Sequence, residues 1–368
     1  MIVFDKRILT HFDFIQIILI IPIIILSNLL VCEASGTLAF KQYLYYSLGA
    51  AVFLLFFILP IKRAIWVIPL IYWLNVAMLL SVEFLGVSKL GAQRWLEIPF
   101  TNLTFQPSEI MKPAFILMLA YTIRENPPQS GGYGVKDFLK FSFLILLPFV
   151  LILKEPDLGS ALLLFLTGYG ILFVVGVNRR IWLTILFCSV VASPLLYQNL
   201  HQYQKKRIID FISKEPSYHV KQSIIAIGNG GMSGKSKDEA TQTHFKFLPI
   251  ATSDFIFAYL IERHGFLGGF FLMGIYALLI LHILLLNYKL KGDYLAQVTA
   301  TGIAILLFIY IGVNISMTIG FAPVVGIPLP FFSYGGSSFV TFAALFGILQ
   351  HLVTFRFDPT NKMLQIKF

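Results

Sequence analysis

Ten apolar stretches divide this chain, near residues 12–32, 43–60, 64–85, 109–123, 138–153, 158–177, 181–197, 254–286, 297–318 and 334–353. Several approach the ~20 residues that a helix needs to cross a ~30 Å hydrocarbon core. In lipid every backbone N–H and C=O must be satisfied internally, so such runs form helices rather than open strands. The expected fold is all-α: a polytopic membrane bundle of about ten transmembrane helices. Composition points the same way. Charged residues make up 12% of the chain, about half the share of a soluble globule, and mean hydropathy is +0.81. The run at 254–286 is too long for one simple crossing, and its first third, up to Gly265, reads as a broken or protein-covered stretch. Gly265, Gly268 and Gly269 are where it can bend. The first run follows Lys6 and Arg7 but is long and lacks a small-x-small exit, so it reads as a retained helix rather than a signal peptide. No repeat or low-complexity tract interrupts the pattern, and residues 1–368 read as a single transmembrane domain.

Basic residues orient the bundle. One set of ends and short loops carries fourteen, from Lys6 and Arg7 through Lys62, Arg63, Arg124, Lys136, Lys140, Arg179, Arg180, Lys289 and Lys291 to Arg356, Lys362 and Lys367. The other set carries four, Lys41, Lys89, Arg94 and Lys154. The positive-inside rule makes the first set cytoplasmic, both termini included. The 198–253 segment, between spans 7 and 8, becomes a large extracytoplasmic loop. The net charge of +10 then reflects topology, and no clustered basic face points to nucleic acid. Cys32 and Cys188 have no disulfide or metal spacing and read as buried small hydrophobes.

Function is sought where the chain departs from lipid-compatible chemistry, because an ionised side chain at mid-helix costs about 2.5–3.5 kcal/mol on insertion scales. Four polar clusters fall on the outer side: Lys89 to Glu97, Gln106 to Lys112, Lys154 to Asp157, and Gly228 through Arg263. Glu109 and Lys112 stand i,i+3 and share a helix face. Pro107 fits a helix start, and Pro113 perturbs the helix soon afterwards. Glu155 and Asp157 put two carboxylates at the turn before the sixth span, and Asp157 also suits a helix cap. Asp254 directly precedes an apolar run, where it is either a cap or a functional carboxylate; Glu262 lies two turns further on the same face if the helix is continuous. The run Gly228 to Ser236 hints at a phosphate loop, but Asn229 stands where that motif needs glycine, and no strand leads into it. Nucleotide binding is excluded; backbone N–H groups exposed to an anion remain an expectation. The stretch from Gly326 to Ser338 is nearly uncharged and rich in turn formers, as in a re-entrant turn packed against protein.

Taken together, these residues resemble the SEDS family (shape, elongation, division and sporulation), most closely its rod-shape members. The resemblance is carried by Gly91-Ala92-Gln93-Arg94-Trp95-Leu96, Gln106-Pro107-Ser108-Glu109, Glu155-Pro156-Asp157-Leu158-Gly159-Ser160, Phe247-Leu248-Pro249 with Ser253-Asp254-Phe255, Ile311-Gly312-Val313-Asn314, and the Gly326-to-Ser338 run. It implies a peptidoglycan glycosyltransferase that polymerises lipid II on the outer face of the bacterial cytoplasmic membrane during cell elongation, releasing undecaprenyl pyrophosphate. It also implies a class B penicillin-binding protein (a transpeptidase) as partner, alongside other elongation-machinery proteins and membrane lipids. Asp254 takes the family's essential aspartate position, and Arg94, Glu109 and Lys112 match polar positions at the same cavity. Two departures stand out: Gly234 to Glu239 replaces a more glycine-rich loop, and Arg263-His264 stand where a second acid and an apolar residue are commoner.

The resulting expectation is an inverting transfer with Asp254 as general base. Arg94 and Lys112 hold the pyrophosphate, and Glu109, Glu155, Asp157, Glu262 and Ser337 contribute to substrate binding. No organic cofactor is required; a divalent cation, Mg or Mn, would lie near Glu109 or Glu262. A lipid II flippase or other transporter, and a non-catalytic scaffold for the penicillin-binding protein, are the alternatives.

Overall fold

A computed structural model describes residues 11–357, apart from 90–91, 98–103, 130, 199–201, 203–204, 206–208, 210–216, 246 and 249. Each of the ten apolar stretches falls on a long helix. These are α1 (Phe14–Ala34), α2 (Gly36–Ile58), α3 (Val67–Leu85), α4 (Pro107–Glu125), α5 (Val135–Lys154), α6 (Leu158–Val175) and α7 (Arg179–Gln198). Two shorter helices follow, α8 (Tyr218–Gly230) and α9 (Thr241–His244), then the long α10 (Ile256–Lys289), α11 (Tyr294–Thr318) and α12 (Gly336–Thr354). Among the described residues, seven helices are long and apolar enough to cross a membrane: α1, α2, α3, α6, α10, α11 and α12. The chain is a multi-pass, all-α membrane bundle. Of the remaining long helices, α4 and α5 carry more charge, such as Glu109, Lys112, Arg124 and Glu125 in α4 and Lys136, Asp137, Lys140 and Lys154 in α5.

Burial divides the bundle into a protein-covered centre and a lipid-facing shell. Along α12 nearly every residue from Ser338 to Thr354 is buried, and most of α4 and α11 is buried too. On α1, α2 and α3 large apolar side chains such as Ile18, Phe40 and Phe84 are exposed. That pattern costs much in water and little in hydrocarbon.

The sequence did not lead us to expect strands, yet a small three-stranded antiparallel sheet joins α3 to α4: β1 (Val87–Lys89), β2 (Ala92–Glu97) and β3 (Thr104–Phe105). Successive residues of a strand face opposite ways, and β2 uses this. Gln93 turns to α3 and donates to the carbonyl of Gly86 at 2.9 Å, a group that the helix end leaves free, and to that of Val82 at 3.0 Å, which also accepts from Gly86 N–H. Arg94 turns the other way, onto the turn between α5 and α6. Cys32, expected to be buried, is exposed, and its sulfur lies 3.6 Å from Asn28 Oδ1 and from the Tyr43 hydroxyl. The Cys188 side chain lies outside the described residues.

The bend in the eighth long helix sits at Gly265, with φ 67° and ψ −171°. Breaking a helix frees backbone groups, and the glycine-rich loop takes them up. Phe266 N–H donates to Gly231 O at 2.8 Å, Leu267 N–H to Met232 O at 3.2 Å, and Lys235 N–H to Glu262 O at 3.0 Å. A Cβ at Gly265 would stand 2.4 Å from both Gly234 N and Met232 O, so only glycine permits this approach. Three of the N–H groups expected to face an anion are spent: Gly234 on Gly230 O, Lys235 on Glu262 O, and Ser236 on the Glu239 carboxylate at 3.3 Å.

Candidate active site

The irregular segment between α11 and α12 positions Asp254. After α11 the chain runs without regular structure to Gly335, with Val325, Ile327, Leu329, Phe331 and Phe332 buried. This segment grips the turn that precedes α10. The Ser333 hydroxyl donates to Ser253 O at 2.6 Å, and Tyr334 N–H donates to Thr252 O at 2.8 Å. The Asn314 amide donates to Asp254 O at 3.0 Å and to Ile327 O at 2.6 Å, tying α11, the turn and the irregular segment together. Gly326 has φ +70°, and a Cβ there would lie 3.5 Å from Asp254 Oδ2.

Asp254 opens into a cavity of about 410 Å³. Arg94, Glu109, Lys112, Asp157, Asp254 and Ser337, all marked from the sequence, line it together. Arg94 enters from β2; its Nε–H donates to Glu155 O at 3.1 Å, a second guanidinium N–H donates to Pro156 O, and Nη1 lies 3.9 Å from Asp157 Oδ1. Asp157 caps α6 by accepting from Ser160 N–H at 3.2 Å, and it accepts from Gln106 Nε2 at 3.1 Å. Lys112, with its side chain only 1% exposed, pairs with Glu109 one turn back and sits 5.3 Å from the Tyr310 ring centroid. Glu109 also accepts from the Thr341 hydroxyl at 3.1 Å.

Glu155 and Glu262 stand outside the lining. Glu262 is fully buried, and its two carboxylate oxygens accept from Gln242 N–H at 2.9 Å and Thr243 N–H at 3.0 Å, at the start of α9. It anchors the loop between α8 and α10, and each oxygen accepts one of these bonds. Glu155 is buried behind Arg94, and among the described residues neither of its carboxylate oxygens has a hydrogen-bond partner. Burial and the nearby Asp157 raise its pKa to about 8, against the lowering effect of Arg94. Burial likewise raises the Asp254 carboxyl above the ordinary range, opposed by the Ser253 hydrogen bond and by His219.

A feature not read from the sequence unifies the cavity: four helices begin at it. The N-caps of α4, α6 and α12, which are Gln106, Asp157 and Gly335, all line it, and Asp254 immediately precedes the Phe255 N-cap of α10. Each N-terminus carries roughly half a positive charge and unpaired N–H donors. Their convergence, with Arg94 and Lys112, makes a site for negative charge. The signals were present in Pro107, Asp157 and Gly335, each a helix-start residue in its own segment. Only the fold places them side by side. Tyr310 also lines the cavity and carried no local signal.

Among the described residues no group of three or more His, Cys, Asp and Glu is arranged to hold a metal ion. Glu262 is bonded to the N–H groups of Gln242 and Thr243 and stands outside the cavity lining. Glu109 lines the cavity, and Mg²⁺ is commonly held by one or two carboxylates together with substrate phosphates. The donor set therefore fits a cation only when shared with a phosphorylated ligand.

The profile of the FtsW/RodA/SpoVE family of cell cycle proteins matches residues 3–357. The chain belongs to this family. A FtsW/RodA/SpoVE relative from Helicobacter pylori strain J99, the peptidoglycan glycosyltransferase MrdB, is 54% identical over 353 residues, covering 96% of this chain and 93% of its own. The Escherichia coli K12 protein of the same name is 33% identical over 357 residues, covering 94% of each. Among solved structures, a chain from a study of how a peptidoglycan synthase complex coordinates polymerization and crosslinking superposes with a TM-score of 0.81 at 25% identity, covering 94% of this chain and 99% of that one. The crystal structure of Thermus thermophilus RodA, a rod shape determining protein, gives a TM-score of 0.71 at 25% identity, covering 94% and 98%. The SEDS resemblance noted in the sequence is this same family.

Proposed function

We propose that this chain is a peptidoglycan glycosyltransferase that joins lipid II disaccharides into β-1,4 glycan, with the Asp254 cavity as its active site. One observation carries the reading: the Asp254 carboxyl, raised by burial, shares a cavity with two cations and the N-termini of α4, α6, α10 and α12. Glycosyl transfer from a lipid pyrophosphate needs that combination, a base for the acceptor and an anion hole for the leaving group.

In the proposed step Asp254 takes the proton of the GlcNAc C4 hydroxyl as its oxygen attacks C1 of the donor MurNAc. The C4–O–C1 bond forms, the bond from C1 to pyrophosphate oxygen breaks, and undecaprenyl pyrophosphate departs with the electron pair. Single displacement inverts the α-linked donor to a β linkage. Burial moves the base toward the operating pH, where general-base catalysis is most efficient. Arg94, braced on the carbonyls of Glu155 and Pro156, and Lys112 face the departing charge with the helix N-termini. A divalent cation, Mg²⁺ or Mn²⁺, would be held by Glu109 together with the pyrophosphate and would supply further charge neutralisation.

We further infer that all ten long helices cross the cytoplasmic membrane, with both termini inside and the cavity at the outer face. Basic residues are concentrated at the opposite ends of the helices. A class B penicillin-binding protein is the proposed partner, supported by the similarity to a chain of a synthase complex that couples polymerization to crosslinking. The test is polymerisation of labelled lipid II by the purified chain with that partner, in the presence of moenomycin. Asp254→Asn is expected to lower glycan formation by about 10²–10⁴-fold with folding and partner binding intact. Retained polymer removes Asp254 as the base; lipid II transport without polymer replaces the enzyme with a flippase.

A further inference from the structure

A second cavity, of about 680 Å³, adjoins the first across the 250–254 turn. The turn divides between them: Ile250, Ala251 and Thr252 line the second, Ser253 and Asp254 the first. Thr252 and Asp254 are two residues apart, so at most about 7 Å of backbone separates the two spaces. The wall is held in place by the bonds of Tyr334 N–H to Thr252 O and of the Ser333 hydroxyl to Ser253 O.

The lining of this second space is mixed: Leu38, Leu248 and Ile250 form an apolar part, and most of the remaining side chains are polar. Ser35, Thr37, Thr243 and Thr252 contribute hydroxyl groups, and Tyr259 an aromatic ring. Hydroxyls both donate and accept, and an aromatic face packs the apolar side of a pyranose. Glu33 is matched by Arg263, whose Nε and Nη2 donate to its two oxygens at 2.8 and 3.0 Å. Lys237 lines the cavity from an exposed position and leaves a positive charge there, beside the His244 imidazole. The result is a mixed apolar and hydroxyl-bearing lining with a cationic edge at Lys237, suited to a saccharide that packs one sugar face on apolar groups and carries carboxylates.

We propose that this second cavity holds the product: the anionic glycan, with its acidic peptide stems, just behind the unit that reacts at Asp254. This rests on the polymerase reading. The site catalyses nothing; it keeps the chain from leaving between additions, so its contribution is to product length. Arg263, which departs from the family's usual residue, forms one wall of the holding site with the Glu33 carboxylate and leaves the Asp254 cavity unaltered.

The experiment uses the full chain with its transpeptidase partner and labelled lipid II, and compares wild type with Lys237→Glu and with Lys237→Glu combined with His244→Glu. Both side chains are exposed, so core packing is untouched. Mean glycan length is expected to fall about fivefold in the double variant, the change in residence that about 1 kcal/mol of edge electrostatics produces. It should fall by more than the rate of the first coupling does, and Lys237→Arg should retain wild-type length. A direct arm measures binding of lipid-free glycan oligomers with peptide stems to wild type and double variant; weaker binding to the variant is expected. Unchanged length and unchanged binding overturn the holding site while leaving polymerase activity standing. A fall in length that only follows a fall in coupling rate also overturns it. Absence of polymer from the wild type sinks the polymerase reading instead, and the binding arm then decides the saccharide site alone.

Discussion

Before Gly265, α10 is buried on every side from Ile256 to Glu262. After it, Leu272, Ile275, Tyr276, Leu279, Ile283 and Leu286 are buried, while Phe266, Phe270, Phe271, Leu278 and Leu285 are each more than half exposed. The second half is an ordinary lipid-facing helix with one covered stripe. The first is enclosed by protein and ends at the two cavities. At 34 residues the whole element measures about 50 Å, well beyond the ~30 Å hydrocarbon core. The difference shows how polar chemistry survives beside a bilayer. Glu262 sits where backbone N–H groups replace water, Asp254 faces a protein-walled cavity, and lipid meets the helix only beyond the break.

That contrast can be broken at its joint. Gly265→Ala forces a side chain into φ 67° and against two backbone atoms at 2.4 Å. We expect a loss of about 3 kcal/mol or more, seen as a large drop in thermal unfolding temperature in detergent and a poor yield of monodisperse protein. A wild-type melting temperature would show that the loop and helix can part without cost. A smaller effect sharpens the distinction between anchoring and chemistry. Glu262→Ala leaves the N–H groups of Gln242 and Thr243 without their acceptors and should cost about 1–3 kcal/mol. The protein that remains folded should polymerise within tenfold of wild type; a hundredfold loss at unchanged melting temperature would return Glu262 to the active site.

A pH series probes the buried acid behind Arg94. The Glu155 carboxyl keeps its proton up to about pH 8 in the folded protein. It therefore stabilises the fold in acid, and that stabilisation is lost as pH rises from the ordinary carboxylate range through about 8. Wild type should lose several degrees of melting temperature between those limits, and Glu155→Gln should flatten the slope. Equal slopes would mean that the carboxyl finds a partner when ionised. The smallest effect belongs to Gly274, in the lipid-facing half of the same helix, where a Cβ would meet nothing within 4 Å. Gly274→Ala should be neutral or stabilising by up to about 1 kcal/mol, measured by the same thermal assay as Gly265→Ala.

The membrane spans were legible because the length and apolarity that lipid demands are written in consecutive residues. The break at Gly265 was legible for a related reason, since the apolar run outlasts the bilayer and a glycine stands where it must bend. Arg94, Glu109, Lys112 and Asp254 could be grouped because each lies at the same end of its own segment. Glu262 misled. Its spacing from Asp254 assumed one continuous helix, whereas α10 begins at Ile256 and the carboxylate is captured by N–H groups twenty residues upstream in sequence. The hairpin of β1 and β2 was overlooked because three- and six-residue strands are too short to compete with the spans around them. Nothing in the local sequence of Asn314 announced that its amide would brace the turn bearing Asp254.

The meeting of four helix starts at one cavity has a consequence for turnover. Its pull on negative charge resides in the main chain, so it neither titrates nor disappears with any single side chain. The field that eases pyrophosphate away from the sugar also retains the spent carrier once it is free. Emptying the site then falls to forces from outside it: the affinity of the long isoprenoid for surrounding lipid, and the arrival of the next charged head group.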